Sequence, residues 1–181
     1  MHHPPKSPLV LDIRDFPRRA GTDRELTLTV PAPAELGIEV LAVPQDAPID
    51  LELRLESVME GVLVTGSAQA GLEGECVRCL TPIQDEVDVD LQELYFYEVP
   101  EDLSAEEAEE TPVVVDDTID LEPLLRDAVV LALPFQPLCQ DDCQGLCAEC
   151  GANLNDDPDH AHEAPIDPRW AGLAGLANNE D

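Results

Sequence analysis

Residues 49–58 read IDLELRLESV, with Ile49, Leu51, Leu53 and Leu55 separated by Asp50, Glu52 and Arg54. Successive side chains of an extended chain point to opposite faces, so this stretch puts four aliphatic groups on one side and charges on the other. It reads as a half-buried β-strand. Working outward, LVLDI at 9–13, ELTLTV at 25–30 and IEVLAV at 38–43 keep the same alternation. The Met59-Glu60-Gly61 break predicts a hairpin turn, with VLVTGSAQAGLEGEC running on to Cys76 and DEVDVDLQELYFYEV following at 85–99. Cys76 and Cys79 then fall in the turn between two strands, where both sulfurs can be aimed one way.

Residues 101–111, EDLSAEEAEET, are acidic and nearly free of apolar groups, which predicts a mobile acidic loop. A short VVV strand follows at 113–115. In TIDLEPLLRDAVVLALP the apolar residues Leu121, Leu124, Leu125, Ala128, Val129 and Ala132 recur at helical spacing. Asp120 is the candidate cap and Pro134 the stop, giving a helix over 121–132 whose apolar stripe covers the inner face of the sheet. The expectation is an α+β protein: a mainly antiparallel β-sheet with one packed helix and a cysteine-rich, zinc-binding C-terminal segment. Its parts are a disordered N-terminus at 1–8, a β-rich core at 9–137, the Cys/His segment at 138–163 and a tail at 164–181.

The chain has 181 residues, 44% of them hydrophobic, enough for a packed core, and a formal net charge of −31. Such a field repels phosphate backbones and attracts basic surfaces. With 3% aromatic residues, stacking platforms for single strands are also scarce. Direct nucleic-acid contact is therefore not expected. MHHPPKSPLVLDIRDFPRR has no apolar run resembling a signal-peptide core, and no later run reaches the length of a membrane span. A cytoplasmic protein without membrane contact is expected, and in that reducing compartment C-x-x-C pairs bind metal or do redox chemistry rather than form structural disulfides.

LCQDDCQGLCAECGANLNDDPDHAHE, residues 138–163, holds four of six cysteines and two of four histidines. The candidate ligands form four pairs: Cys76 with Cys79, Cys139 with Cys143, Cys147 with Cys150, and His160 with His162. A closed structural zinc site takes four ligands, so eight can fill two sites. One allocation puts Cys76, Cys79, Cys139 and Cys143 on a first ion and Cys147, Cys150, His160 and His162 on a second. Another uses one ion between the two C-x2-C pairs, Cys76/Cys79 and Cys147/Cys150. Spacing leaves both open, with two sites preferred. Gly151 after the second C-x2-C marks a knuckle, since glycine lets the backbone turn back towards the thiolates. No H-E-x-x-H, deaminase-type H-x-E, phosphate loop or serine elbow is present, and the cysteine spacing differs from the common ferredoxin run. A non-enzymatic protein is expected.

GECVRCL, VLALPFQPLC, CQGLCAECGANLN and the late DPRWAGL together resemble the YceD family. The resemblance spans nearly the whole chain, and Gly145 to Asn155 is its most specific part. In relatives the place of His160-Ala161-His162 often resembles C-x-C, which adds weight to these histidines as ligands. Other relatives lack most of the cysteines, implying a metal that supports the fold. The resemblance implies a factor needed for large-subunit ribosomal RNA accumulation and ribosome biogenesis. With the acidic charge, it implies a basic ribosomal protein or ribosomal precursor as partner. The rival reading is a thiol-redox or zinc-handling protein that uses Cys147 and Cys150. Trp170, Leu173 and Leu176 in the tail are spaced for one or two helical turns, packed on their own domain or in a partner's groove.

Overall fold

The computed structural model describes residues 7–162. Its strands are β1 (Val10–Asp12), β2 (Asp23–Pro31), β3 (Leu36–Ile38), β4 (Leu41–Val43), β5 (Pro48–Ser57), β6 (Gly61–Glu75), β7 (Pro82–Phe96) and β8 (Thr118–Asp120), with helices α1 (Ala105–Glu110) and α2 (Glu122–Ala132). The protein is thus mainly antiparallel β-sheet with few helices. No described helix is long and apolar enough to cross a membrane. Residues 1–6 and the whole tail, including Trp170, lie outside the described residues.

The alternation at 49–58 is realised directly: Ile49, Leu51, Leu53 and Leu55 are buried and Asp50, Glu52 and Arg54 exposed. β5 pairs with β2 on one side and β6 on the other. The 15-residue β6 is the spine of the sheet. Along one side it pairs first with β5 and then with β4, and along the other it pairs with all of β7. Gly66 is required where β5 and β6 cross closely: its φ is +154°, and a Cβ there would lie 2.0 Å from the Glu52 carbonyl oxygen.

The inner face carries Val62, Val64, Ala68, Ala70 and Leu72 of β6 with Val87, Val89 and Leu91 of β7. Leu125 and Val129 of α2 pack on it, joined by Leu9, Leu11, Ile119 and Leu121 from the small β1–β8 ladder. Ladder and helix together close the second layer, an arrangement that buries one apolar face of each element.

Four local expectations are corrected. IEVLAV is not one strand: the chain turns at Glu39-Val40, and β3 and β4 form a tight hairpin. The acidic 101–111 stretch holds a helical turn, α1, because Ser104 and Glu107 form a capping box in which each side chain meets the other's backbone amide. Val113–Val115 makes only isolated bridges, to Phe96 and Thr118. The second helix starts at Glu122, with Leu121 as its N-cap residue; the Asp120 carboxylate still accepts the Glu122 amide at 3.0 Å. Its end agrees with the sequence, at Leu133 before Pro134.

Candidate metal centre

Two turns of the same construction present the C-x2-C pairs. In the β6–β7 turn the Leu80 amide donates to the Cys76 carbonyl at 2.9 Å, and the Cys76 amide donates to the Thr81 carbonyl at 2.9 Å. In the later turn Gly151 donates to Cys147 at 2.9 Å, and Cys147 donates to Ala152 at 2.8 Å. The residue after the second cysteine is left-handed in both, Leu80 at φ +59° and Gly151 at φ +74°. A left-handed residue there lets the chain double back so that its amides surround the first sulfur. Glycine takes this conformation freely, whereas Leu80 takes it at a cost of about 1–2 kcal/mol.

The first cluster joins Cys76, Cys79, Cys139 and Cys143, with all four sulfurs within 4.8 Å of one another. Cys79 Sγ lies 3.4 Å from Cys139 Sγ, and Cys76 Sγ lies 3.7 Å from Cys143 Sγ. Cys76 and Cys143 are almost fully buried. Burial works against the Cys76 thiolate, but the amides of Cys139, Arg78 and Cys79 point at the sulfur and bring its pKa down to about 6. The Thr81 hydroxyl, 3.1 Å from Cys79 Sγ, lowers that thiol as well. Cys139 is pushed up by the neighbouring Cys79, as expected when several sulfurs crowd one site. The Asn155 side-chain amide donates to Cys143 Sγ at 3.3 Å, and Arg78 donates to the Cys143 carbonyl at 2.9 Å.

The second cluster joins Cys147, Cys150, His160 and His162, again within 4.8 Å. His160 Nε2 and His162 Nε2 lie 3.1 and 3.3 Å from Cys150 Sγ and 2.9 Å from each other. Both Nδ1 atoms face outward to carboxylates, Asp157 at 3.7 Å and Glu149 at 3.5 Å. This polarity, Nε2 inward and Nδ1 to an acid, is the one that orients a histidine as a metal ligand. Amides of Cys150 and Glu149 lower Cys147 to about 6. This cluster is more exposed than the first.

All eight residues singled out in the sequence therefore lie in one of two four-residue groups, each able to hold a metal ion. The mixed group of Cys76/Cys79 with Cys147/Cys150 does not form. The supporting residues Thr81, Asn155, Asp157 and Glu149 do not stand out from ligand spacing. Of these only Asn155 carried a signal, through its place at the end of the 145–155 stretch.

Comparison with known proteins agrees with the resemblance seen in the sequence. The family model described as Large ribosomal RNA subunit accumulation protein YceD matches residues 64–177. An uncharacterized protein of Mycobacterium tuberculosis is 50% identical over 176 residues, covering 96% of this chain and 84% of its own. A second, from Mycobacterium leprae, is 46% identical over 170 residues, covering 94% and 78%. A maize protein, Large ribosomal RNA subunit accumulation protein YCED homolog 1, chloroplastic, is 42% identical over 40 residues, covering 22% of this chain and 14% of its own. No solved structure gives a significant match. The chain belongs to the YceD family.

Proposed function

We propose that this YceD-family protein is a non-enzymatic factor supporting accumulation of large-subunit ribosomal RNA, and that it acts by binding a basic ribosomal protein or assembly intermediate. The observation that carries this reading is the uncompensated acidic charge of the family member in hand, −31 over 181 residues. Most described arginines are spent internally: Arg14 on Asp12, Arg18 on Asp117, Arg54 on Asp23, Arg126 on Glu122 and Arg78 on a backbone carbonyl. What remains is a negative surface that speeds encounter with cations and screens the positive charge of a client before it meets RNA.

In the same reading each Cys/His group holds one zinc ion that fixes the fold. A tetrahedral site with zinc–sulfur bonds of about 2.3 Å separates its sulfurs by about 3.8 Å, and the 3.7 and 3.4 Å sulfur separations of the first group fit such a site, while the second group gathers its four donor atoms within 4.8 Å. Four protein donors per ion leave no open position for water, which supports a structural metal. Cys150 is turned to two histidine nitrogens, which favours a ligand role over a dithiol cycling with Cys147.

The test is co-sedimentation with ribosomal precursors, and pull-down of purified basic ribosomal proteins, across a salt series. Binding at low salt that falls steeply through physiological ionic strength is expected, because exposed charges are screened over about 8–10 Å. An affinity unchanged from low to high salt would refute the electrostatic mechanism.

A further inference from the structure

β7 is an edge strand, and its free side is unusual in combining open backbone groups with a dense negative charge. Cys76 donates to Thr81 across the β6–β7 turn, so odd-numbered β7 residues direct their amides and carbonyls to β6. Even-numbered residues therefore face outward. Phe96 confirms the parity: its amide donates to the Pro112 carbonyl at 2.9 Å, and its carbonyl accepts the Val114 amide at 2.9 Å, on the side away from β6. Pro82 sits at the same parity, where a missing N–H costs no ladder bond.

Beyond that short parallel bridge at Phe96, no described backbone group pairs with the outward sides of Gln84, Glu86, Asp88, Asp90 or Gln92. The Glu86 amide is met only by the Asp85 carboxylate, at 2.9 Å. Beside this edge a groove of about 570 Å³ runs between β7, the end of α1 and α2. Its walls carry the carboxylates of Asp90, Glu93, Glu109, Glu110 and Asp127, none of which forms an ion pair with a described residue. Leu124 and the 84% exposed Leu131 supply its apolar part.

From this edge we infer that β7 accepts an extended basic segment of the client as an added strand, one that alternates Lys or Arg with aliphatic residues. The inference rests on the basic-client reading above and names where and how the client sits. A strand added at β7 continues the bridge that Val113 starts at Phe96, and it satisfies amides and carbonyls left open at 84–92. Its period of two sorts its side chains. On the solvent side they stand next to Asp88 and Asp90, where a cation is favoured and another acidic strand is repelled. On the inner side they stand next to Val89 and Leu91, with Leu124, Ala128 and Leu131 of α2 across the groove, where an aliphatic group is favoured. The acidic row therefore discourages pairing of two copies of this chain while selecting a basic strand.

The test uses the full-length protein and a synthetic peptide alternating lysine with valine. Peptide binding at low salt is expected to slow hydrogen exchange of the Asp88, Asp90 and Gln92 amides, leaving Val87, Val89 and Leu91 as they were. Asp88→Pro removes an outward N–H without touching the β6 ladder; it is expected to weaken peptide binding about tenfold, the loss of one or two hydrogen bonds, with little change in melting temperature. Asp88→Asn keeps the amide and should lose less affinity while flattening the salt dependence. If Asp88→Pro fails to fold, Leu131→Lys at the exposed groove wall provides the same test, again with weaker binding expected.

Undiminished binding by these variants, or binding without protection at 88–92, overturns the inference. So does protection already present in the free protein, assigned to the chain's own tail if removal of residues 163–181 abolishes it and to a second copy if it rises with protein concentration. A basic ribosomal protein that binds wild type and Asp88→Pro equally would sink the strand site alone. Absence of any binding to wild type at low salt would sink the basic-client reading with it.

Discussion

Removing the first metal tie should cost more stability than removing the second, and the chain itself sets the difference. Cys79 and Cys139 are 60 residues apart, whereas Cys150 and His160 are 10 apart. Treating each metal as a cross-link that restricts the unfolded chain, the loop-closure relation gives about 4 kcal/mol for the long loop and about 2.7 kcal/mol for the short one. The long tie also binds the sheet's hairpin turn to the segment leaving α2, so its loss is felt by the whole core. The perturbation is Cys139→Ser with Cys143→Ser, compared with His160→Ala plus His162→Ala. At roughly 2–4 °C per kcal/mol for a protein of this size, the first pair should lower the melting temperature by roughly 8–16 °C. The second should lower it by less and leave the sheet's transition intact. Calorimetric melting of zinc-loaded proteins measures this; with excess chelator, which strips both sites, the wild type should fall below the zinc-loaded first variant. Equal losses for the two variants, or a wild type indifferent to chelator, would mean that the two sites do not tie the fold through the loops they close.

Leu125→Ala empties a fully buried position of α2 against the sheet and should cost about 2–5 kcal/mol by urea unfolding, whereas Leu131→Ala on the exposed side should stay within about 0.5 kcal/mol. Gly66→Ala places a methyl group against the Glu52 carbonyl and should destabilise by about 1–3 kcal/mol in the same assay. Leu80→Gly relieves a left-handed leucine; after the entropy that glycine gains in the unfolded chain, a net gain of about 0.5–1 kcal/mol is expected. In metal-free protein, Cys76 is held at about 6, below its ordinary value, so its thiolate stabilises the fold above the ordinary thiol range. That contribution is lost as pH falls through about 6, and ultraviolet thiolate absorbance, compared with Cys76→Ser, should show the inflection there.

The strands were legible because β2, β5 and β7 each have one wet face, so their period of two survives in the residues. The β3–β4 hairpin was not, since IEVLAV keeps its apolar run straight through the turn at Glu39-Val40. Local periodicity also carries nothing about which strands share β6, and its division between β5 and β4 depends on chain closure over long separations. α1 had a signal in Ser104 and Glu107, but it buries no residue, and acidic composition masked the cap. At the candidate metal centre, spacing picked out the possible donors yet left their partition open. Partition follows from where α2 releases the chain: the Val77 amide donates to the Pro137 carbonyl, which sets Cys139 and Cys143 against the first turn before the second turn begins.

The unequal spans of the two clusters also impose an order in time. Donors 10 residues apart meet within a short coil, so the second cluster could capture a metal ion while the sheet is still incomplete. Donors 60 residues apart close a loop that contains β7, α1, β8 and α2, so their meeting is the slower closure. A metal ion held by the first cluster would thus report that the chain has closed its long loop, and loosening of the core would loosen that site with it.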